Sequence, residues 1–245
     1  MSEGEARPLE AVLFDVDDTL LDHTGAVERG FVARLADIAP GADRQTAVAE
    51  WKRLEDLHYP RYLAGELTWA GQRRERARDI VAWLGLPELA DDTALDAWFD
   101  AYRAAFDAAV EVFHDTVDVL DSLGVPMGVV SNNETANLLA KLERAGLGGR
   151  FDVVICPAEG GLPAKPHPAV FLAGCEALGA DPATTAYVGD RLRTDALGAR
   201  DAGLVGVWLD RARSDRAVPE GVVRIESLAE LPALVARGRT DATRP

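Results

Sequence analysis

The chain has 245 residues, 48% of them apolar and 27% charged, with a formal net charge of −15 at pH 7. That length suits one large or two small domains with a proper hydrophobic core, and the composition is not that of a disordered chain. The acidic balance excludes non-specific binding to nucleic acid or an anionic membrane, which needs clustered positive charge.

Leu9–Phe14 (LEAVLF) is apolar and β-prone and stops abruptly at acidic residues, which predicts a first strand. From Asp22 to about Phe113 the pattern becomes helical throughout. Val27, Phe31, Leu35 and Ile38 recur at near-i+4 spacing, and Leu95, Trp98, Phe99, Tyr102 and Phe106 repeat the pattern. Trp51, Trp69, Trp83 and Trp98, four of the five tryptophans, lie here. The segment 23–113 is therefore expected to be a helical subdomain inserted into a core made of 8–22 and 114–237.

Strand-like runs then alternate with helical ones. Strands are expected at Val125–Val130, Phe151–Ile155, Thr185–Val188, Val205–Leu209 and Val222–Ile225. Helices are expected at Glu134–Ala145, Pro168–Leu178, Asp195–Ala202 and Leu228–Ala236. Near-continuous apolar strands separated by helices predict an α/β fold, a Rossmann-like doubly wound parallel sheet covered on both faces. The ends, 1–7 and 238–245, read as frayed tails. No apolar run approaches the roughly 20 residues that span a bilayer, and the polar, acidic start MSEGEARPLE is not a signal peptide. Cys156 and Cys175 lack metal-type spacing and cannot make a disulfide framework, so they are expected to be reduced core thiols in a cytoplasmic protein.

In an open parallel sheet, ligands bind beyond the carboxyl ends of the strands. Asp15-Val16-Asp17-Asp18-Thr19 follow the first strand, and Ser131-Asn132-Asn133 follow the second. Lys165-Pro166-His167-Pro168 precede a helix, and Gly189-Asp190 follow the fourth strand, with Asp195 five residues on. Converging carboxylates repel one another unless a cation is present. Hard oxygen ligands without histidine favour Mg²⁺. A lysine and a hydroxyl complete a cradle for phosphoryl oxygens. One Asp can be a covalent nucleophile, and a second, two residues on, can protonate a leaving oxygen and later activate water. Only three basic residues are lysine, Lys52, Lys141 and Lys165, in a chain where arginine supplies the rest. Arginine does not replace a compact ammonium without a change of geometry.

These fragments, DVDDT, the Ser of VVSNN, the Lys of AKPHP and GDRLRTD, resemble the four motifs of the haloacid dehalogenase superfamily, over about Leu9–Gly206. The branch it resembles carries a helical cap after the first strand. The resemblance implies an α/β core with an inserted α-helical cap subdomain, and a Mg²⁺-dependent phosphatase that acts on a small phosphorylated metabolite. It implies Asp15 as nucleophile and Asp17 as general acid/base, with Ser131, Asn132 and Lys165 holding the phosphate. It implies Mg²⁺ on Asp15, Asp190 and the backbone carbonyl of Asp17, with Thr19 and Asp195 in support. A phosphomutase would carry the same motifs. A dehalogenase of the superfamily would lack the carboxylate at Asp17, and a phospho-acceptor module would leave the insert unexplained.

Plainer readings stand beside these. Asp17 and Asp18 suit a turn, and Ser131 and Asp195 suit helix N-caps. His23 and His167 are expected to be solvated. Arg191 and Arg193 could face either a substrate or solvent, and Arg61, Arg73, Arg74, Arg76 and Arg78 read mainly as a solvated helix face. Both a monomer and a homodimer remain open.

Overall fold

The computed structural model describes residues 7–157 and 161–237. The apolar runs form six strands: β1 (Ala11–Phe14), β2 (Met127–Val130), β3 (Val153–Ile155), β4 (Thr185–Gly189), β5 (Val205–Leu209) and β6 (Val222–Ile225). All pair in parallel, in the order β3-β2-β1-β4-β5-β6. This is the classic doubly wound order, and its direction reverses between β1 and β4, the switch point at which such sheets take ligands. Strands β1, β4 and β5 are buried along their whole length, which is why they read as unbroken apolar runs. The register sets Phe14 beside Val129 of β2 and Val188 of β4. Asp15, Ser131 and Gly189-Asp190 therefore leave the sheet along the same edge.

The described residues fall into two compact units, one within Met1–Asp22 and Glu111–Pro245, the other His23–Val110. The second unit holds α1 (His23–Ile38), α2 (Arg44–Leu63), α3 (Trp69–Trp83) and α4 (Asp92–Ala109). Asp43, Thr68 and Asp91 cap the last three of these, each accepting a backbone N–H three residues on. Both apolar stripes read from the sequence meet here in one core with Trp51, Leu54 and Ile80. Trp51 is fully buried, stacked on Phe31 at 5.0 Å and edge-on to Tyr102 at 4.7 Å. Gly30 lets α1 lie against α4, since a Cβ there would come within 2.6 Å of the Phe106 backbone.

The first unit adds α5 (Thr116–Ser122), α6 (Thr135–Arg144), α7 (Pro168–Leu178), α8 (Gly198–Asp201) and α9 (Leu231–Arg237). α7 starts with Pro168, capped by His167, and ends at Gly179 in the left-handed conformation, φ 65°. Its inner face joins Leu13, Val130 and Tyr187 in the core.

Some elements differ from expectation for local reasons. α5 is unannounced because seven residues carry too little periodicity. β2 begins at Met127, because Pro126 cannot donate to a ladder. The helix expected at 195–202 instead starts as a π-helical turn, Leu192–Leu197, before α8. The helix expected from Leu228 opens as a tight turn, Leu228–Glu230, with a Ser227/Glu230 capping box. Cys156 and Cys175 are buried, as expected. The segments expected to be tails, 1–7 and 238–245, lie outside the described residues apart from Arg7. No described helix is long and apolar enough to cross a membrane.

Candidate active site

Asp15 extends β1 by one step, its N–H donating to the Val188 carbonyl at 2.9 Å. The chain then turns tightly, with the N–H groups of Leu20 and Leu21 both donating to the Val16 carbonyl. Asp18 takes the left-handed conformation, φ 59°, which Asp tolerates better than most residues. Thr19 is fully buried, and its Oγ1 accepts from the Asp190 N–H at 3.1 Å. The Thr19 carbonyl accepts from Arg211 Nη2 at 2.8 Å. Arg211 is itself clamped by Asp115, which also accepts from Ser227 and the Leu228 N–H. The loop that carries the first two aspartates is thus pinned on two sides.

Lys165 lies at the centre. Its Nζ contacts Asp15 Oδ1 at 2.7 Å, Asp195 Oδ1 at 2.9 Å and the Tyr187 hydroxyl at 2.6 Å. An ammonium has three protons, and here it has three acceptors. The Tyr187 hydroxyl in turn donates to the Val130 carbonyl at 2.8 Å. Asn132 holds the Lys165 backbone from both ends, Nδ2 donating to its carbonyl and Oδ1 accepting from its N–H. The Asn132 side chain, expected on substrate, is thus turned toward the lysine loop. Ser131 is buried at the end of β2, its Oγ accepting from the Asn133 N–H at 3.3 Å.

Asp195 projects from the π-helical turn beneath Gly189, so closely that a Cβ on Gly189 would lie 2.5 Å from the Asp195 Cβ. The wide turn aims this carboxylate inward, a common use of π-bulges at functional sites. Its second oxygen accepts from the Arg191 N–H at 3.0 Å. Asp195 therefore braces the lysine and its own loop, and does not cap a helix.

Carboxylate oxygens of Asp15, Asp190 and Asp195 lie within 4.8 Å of one another. Burial pushes Asp15 up to about 6; Lys165 opposes that rise, and Asp195 and Asp17 add to it. Burial, reinforced by the charges of Asp15, Asp195 and Asp18, pushes Asp190 up to about 8. Burial alone would lower Lys165, but Asp15 and Asp195 outweigh it and raise the ammonium above its ordinary value. Two buried carboxylates and the half-buried Asp190 against one lysine leave an excess of negative charge. Asp190 Oδ1 is buried without a hydrogen-bond partner. That oxygen-only donor set and the orphaned oxygen fit a hard divalent cation such as Mg²⁺. Both oxygens of Asp195 are engaged, so Asp15 and Asp190 are the carboxylates with capacity to hold it.

The Asp17 carboxylate has partners of its own. Its Oδ1 accepts from Lys141 Nζ at 2.6 Å and its Oδ2 from Asn133 Nδ2 at 2.9 Å. Of the residues expected from sequence, the structure joins Asp15, Thr19, Asp190, Asp195 and Lys165 directly, ties Asn132 to the Lys165 backbone, leaves Ser131 and Asp17 each in contact with Asn133, and adds Lys141, Asn133 and Tyr187. Tyr187 had a signal, since a tyrosine inside a strand buried on both faces must find a partner for its hydroxyl.

The expected arginines divide differently. Arg191 and Arg193 are exposed. Arg61, Arg73, Arg74, Arg76 and Arg78 each pair with an acid of their own helical unit. Arg76 is not solvated at all, but buried against the Trp51 ring at 4.3 Å. His23 packs on Phe106, and His167 caps α7.

A model of the haloacid dehalogenase-like hydrolases matches residues 9–203. A phosphoserine phosphatase of Thermus thermophilus is 30% identical over 228 residues, covering 83% of this chain and 89% of its own. A ribulose-1,5-bisphosphate 5-phosphatase of Halopiger xanaduensis is 29% identical over 238 residues, covering 92% of this chain and 98% of its own. Among solved structures, a HAD-hydrolase of Bacillus subtilis bound to magnesium, YfnB, superposes with a TM-score of 0.74 at 21% identity, over 94% of this chain and 99% of that one.

Proposed function

The chain belongs to the haloacid dehalogenase-like hydrolases, and we propose that it is a phosphatase that cleaves a small phosphorylated metabolite through an aspartyl phosphate on Asp15. The observation that carries this reading is the second carboxylate, Asp17, two residues beyond Asp15 and held by Lys141 and Asn133. Displacement of a halide from carbon leaves no alkoxide to protonate and has no use for that group. A phosphate monoester does. The phosphatases among the relatives support the same class of substrate.

In the first step an Asp15 carboxylate oxygen attacks phosphorus in line. The bond from phosphorus to the ester oxygen breaks, and Asp17 gives that oxygen its proton, so an alcohol leaves. Water then attacks phosphorus, Asp17 takes its proton, and the bond from phosphorus to Asp15 breaks to release inorganic phosphate. Lys165 keeps the nucleophile oriented and supplies positive charge beside the phosphoryl oxygens. Ser131 and the Asn132 backbone would hold those oxygens. Asp195 and Tyr187 fix the lysine, and Thr19 ties the nucleophile loop to Asp190. Mg²⁺ on Asp15, Asp190 and the Asp17 carbonyl would neutralise phosphoryl charge as a Lewis acid. Choice of substrate would fall to the helical unit acting as a cap. Thiols such as Cys156 and Cys175 suit the reducing cytoplasm.

A panel of phosphorylated metabolites, read as kcat/KM for phosphate release with and without chelator, tests this. At least one monoester is expected to be cleaved, with activity lost on chelation and in Asp15→Asn. Near-normal hydrolysis by Asp15→Asn would refute the nucleophile, and activity after exhaustive chelation would refute the metal. Isomerised sugar phosphate without free phosphate would make the enzyme a mutase.

A further inference from the structure

The chain has three lysines, and two of them are buried on aspartates of the same loop. Lys165 holds Asp15, and Lys141 holds Asp17, across 150 and 124 residues of sequence. The third, Lys52, pairs with Glu28 on the surface. The role of Lys165 follows from the motifs; that of Lys141 does not.

We propose that Lys141 is a positioning residue that fixes the Asp17 carboxyl in the orientation needed for proton transfer to the leaving oxygen. The inference rests on the reading of Asp17 as general acid/base. Lys141 is on α6, the helix that follows the Ser131 loop, and Asn133 comes from that loop itself. The two donors reach different oxygens of Asp17, so the carboxyl cannot rotate unless both bonds break. The elements that would grip the phosphate thus also set the acid.

Stability is a poor explanation for this pairing. The Lys141 side chain keeps 9% of its exposure, while that of Asp17 keeps 25%. Burying an ammonium costs several kcal/mol, and a partly solvated carboxylate returns little of it. An open carboxylate could have been left to water. Arginine supplies nearly every other cation of this chain, but its broad planar fork cannot replace a single point contact at 2.6 Å without moving Asp17.

The test compares two leaving groups. The kcat/KM value covers only the steps up to alcohol release, and a nitrophenolate leaves without help from an acid, whereas an alkoxide does not. A misplacement of about 1 Å can cost about 10²-fold. Lys141→Met should therefore lose about 10²-fold in kcat/KM on an alkyl phosphate and less than about threefold on nitrophenyl phosphate. Lys141→Arg keeps the buried charge, and so the fold, and should show a smaller loss confined to the alkyl phosphate. The double variant Asp17→Asn/Lys141→Met should be no worse than Asp17→Asn alone, since one residue acts through the other. Equal losses on both substrates, no loss on the alkyl phosphate, or losses that multiply in the double variant would each overturn the role of Lys141. An Asp17→Asn variant that does not discriminate between the leaving groups would instead overturn the assignment of Asp17, and the proposal with it.

Discussion

In the helical unit a cation enters the core singly and against a ring, as Arg76 does beside Trp51 with Glu55 as its partner. In the α/β unit buried charges come together: Asp15, Asp195 and Lys165 within hydrogen-bonding distance, Asp190 beside them, and Lys141 on Asp17 at the margin. The same acidic chain thus uses charge in two ways. One unit covers an aromatic core with paired surface ions that contribute little each. The other concentrates carboxylates where burial raises Asp15 and Asp190, an arrangement that penalises folding unless a cation offsets it. The net charge of −15 therefore says little about the ligand, because the local cluster sets the chemistry.

That contrast can be broken most forcefully at Lys165. Lys165→Ala leaves Asp15 and Asp195 facing each other, and should cost about 3–5 kcal/mol of stability together with about 10²–10³-fold in activity. Thermal unfolding and phosphate release measure the two losses, and a variant of full stability would show that the lysine is not the keystone of the cluster. Trp51→Ala is the counterpart in the helical unit. Emptying the Trp51 position should lower stability by about 3–5 kcal/mol in denaturant unfolding while leaving the difference between alkyl and aryl leaving groups unchanged. A changed leaving-group profile would contradict the division of labour.

A smaller effect is expected at Asp115, where charge is structural. Burial alone would raise this carboxyl, but the hydrogen bonds from Arg211 and Ser227 and the Arg211 charge hold it below the ordinary carboxylate range. A depressed folded-state pKa means that the unfolded chain binds the proton more readily, so stability rises with pH through this window. Asp115→Asn should cost about 2 kcal/mol at neutral pH, and the gap to the wild type should close as pH falls through the folded value. A gap independent of pH would mean that packing, and not charge, holds the Thr19 loop through Arg211.

Much of this was legible in the sequence. The strands appear there as apolar runs, most clearly β1, β4 and β5, because strands buried on both faces have no reason to alternate. The insert was visible because its stripes repeat at helical spacing. Asp15, Ser131 and Asp190 could be placed because each sits directly after a strand, where the sheet fixes its position. What escaped depended on tertiary contact. In the run AKLERAG, Lys141 reads as a favourable cation near a helix C-terminus, and nothing local ties it to Asp17. The scarcity of lysine was the one available signal. Asp195 also had a plainer reading as a helix cap, and the π-helical turn that aims it inward depends on the space left by Gly189. Arg76 belonged to a charged run that suggested a solvated face, and only the fold presents it with the Trp51 ring.

The central claim is a phosphoryl group carried on Asp15, and Asp17→Asn exposes it most directly. With nitrophenyl phosphate, which needs no acid to leave, this variant should complete the first step and stall at the second, where the base is missing. Rapid mixing should then release one equivalent of nitrophenolate per active site in a burst, and acid quenching followed by peptide mass spectrometry should find the phosphoryl group on Asp15. Absence of both the burst and the label, in a protein whose wild type releases phosphate from the same ester, would contradict the account.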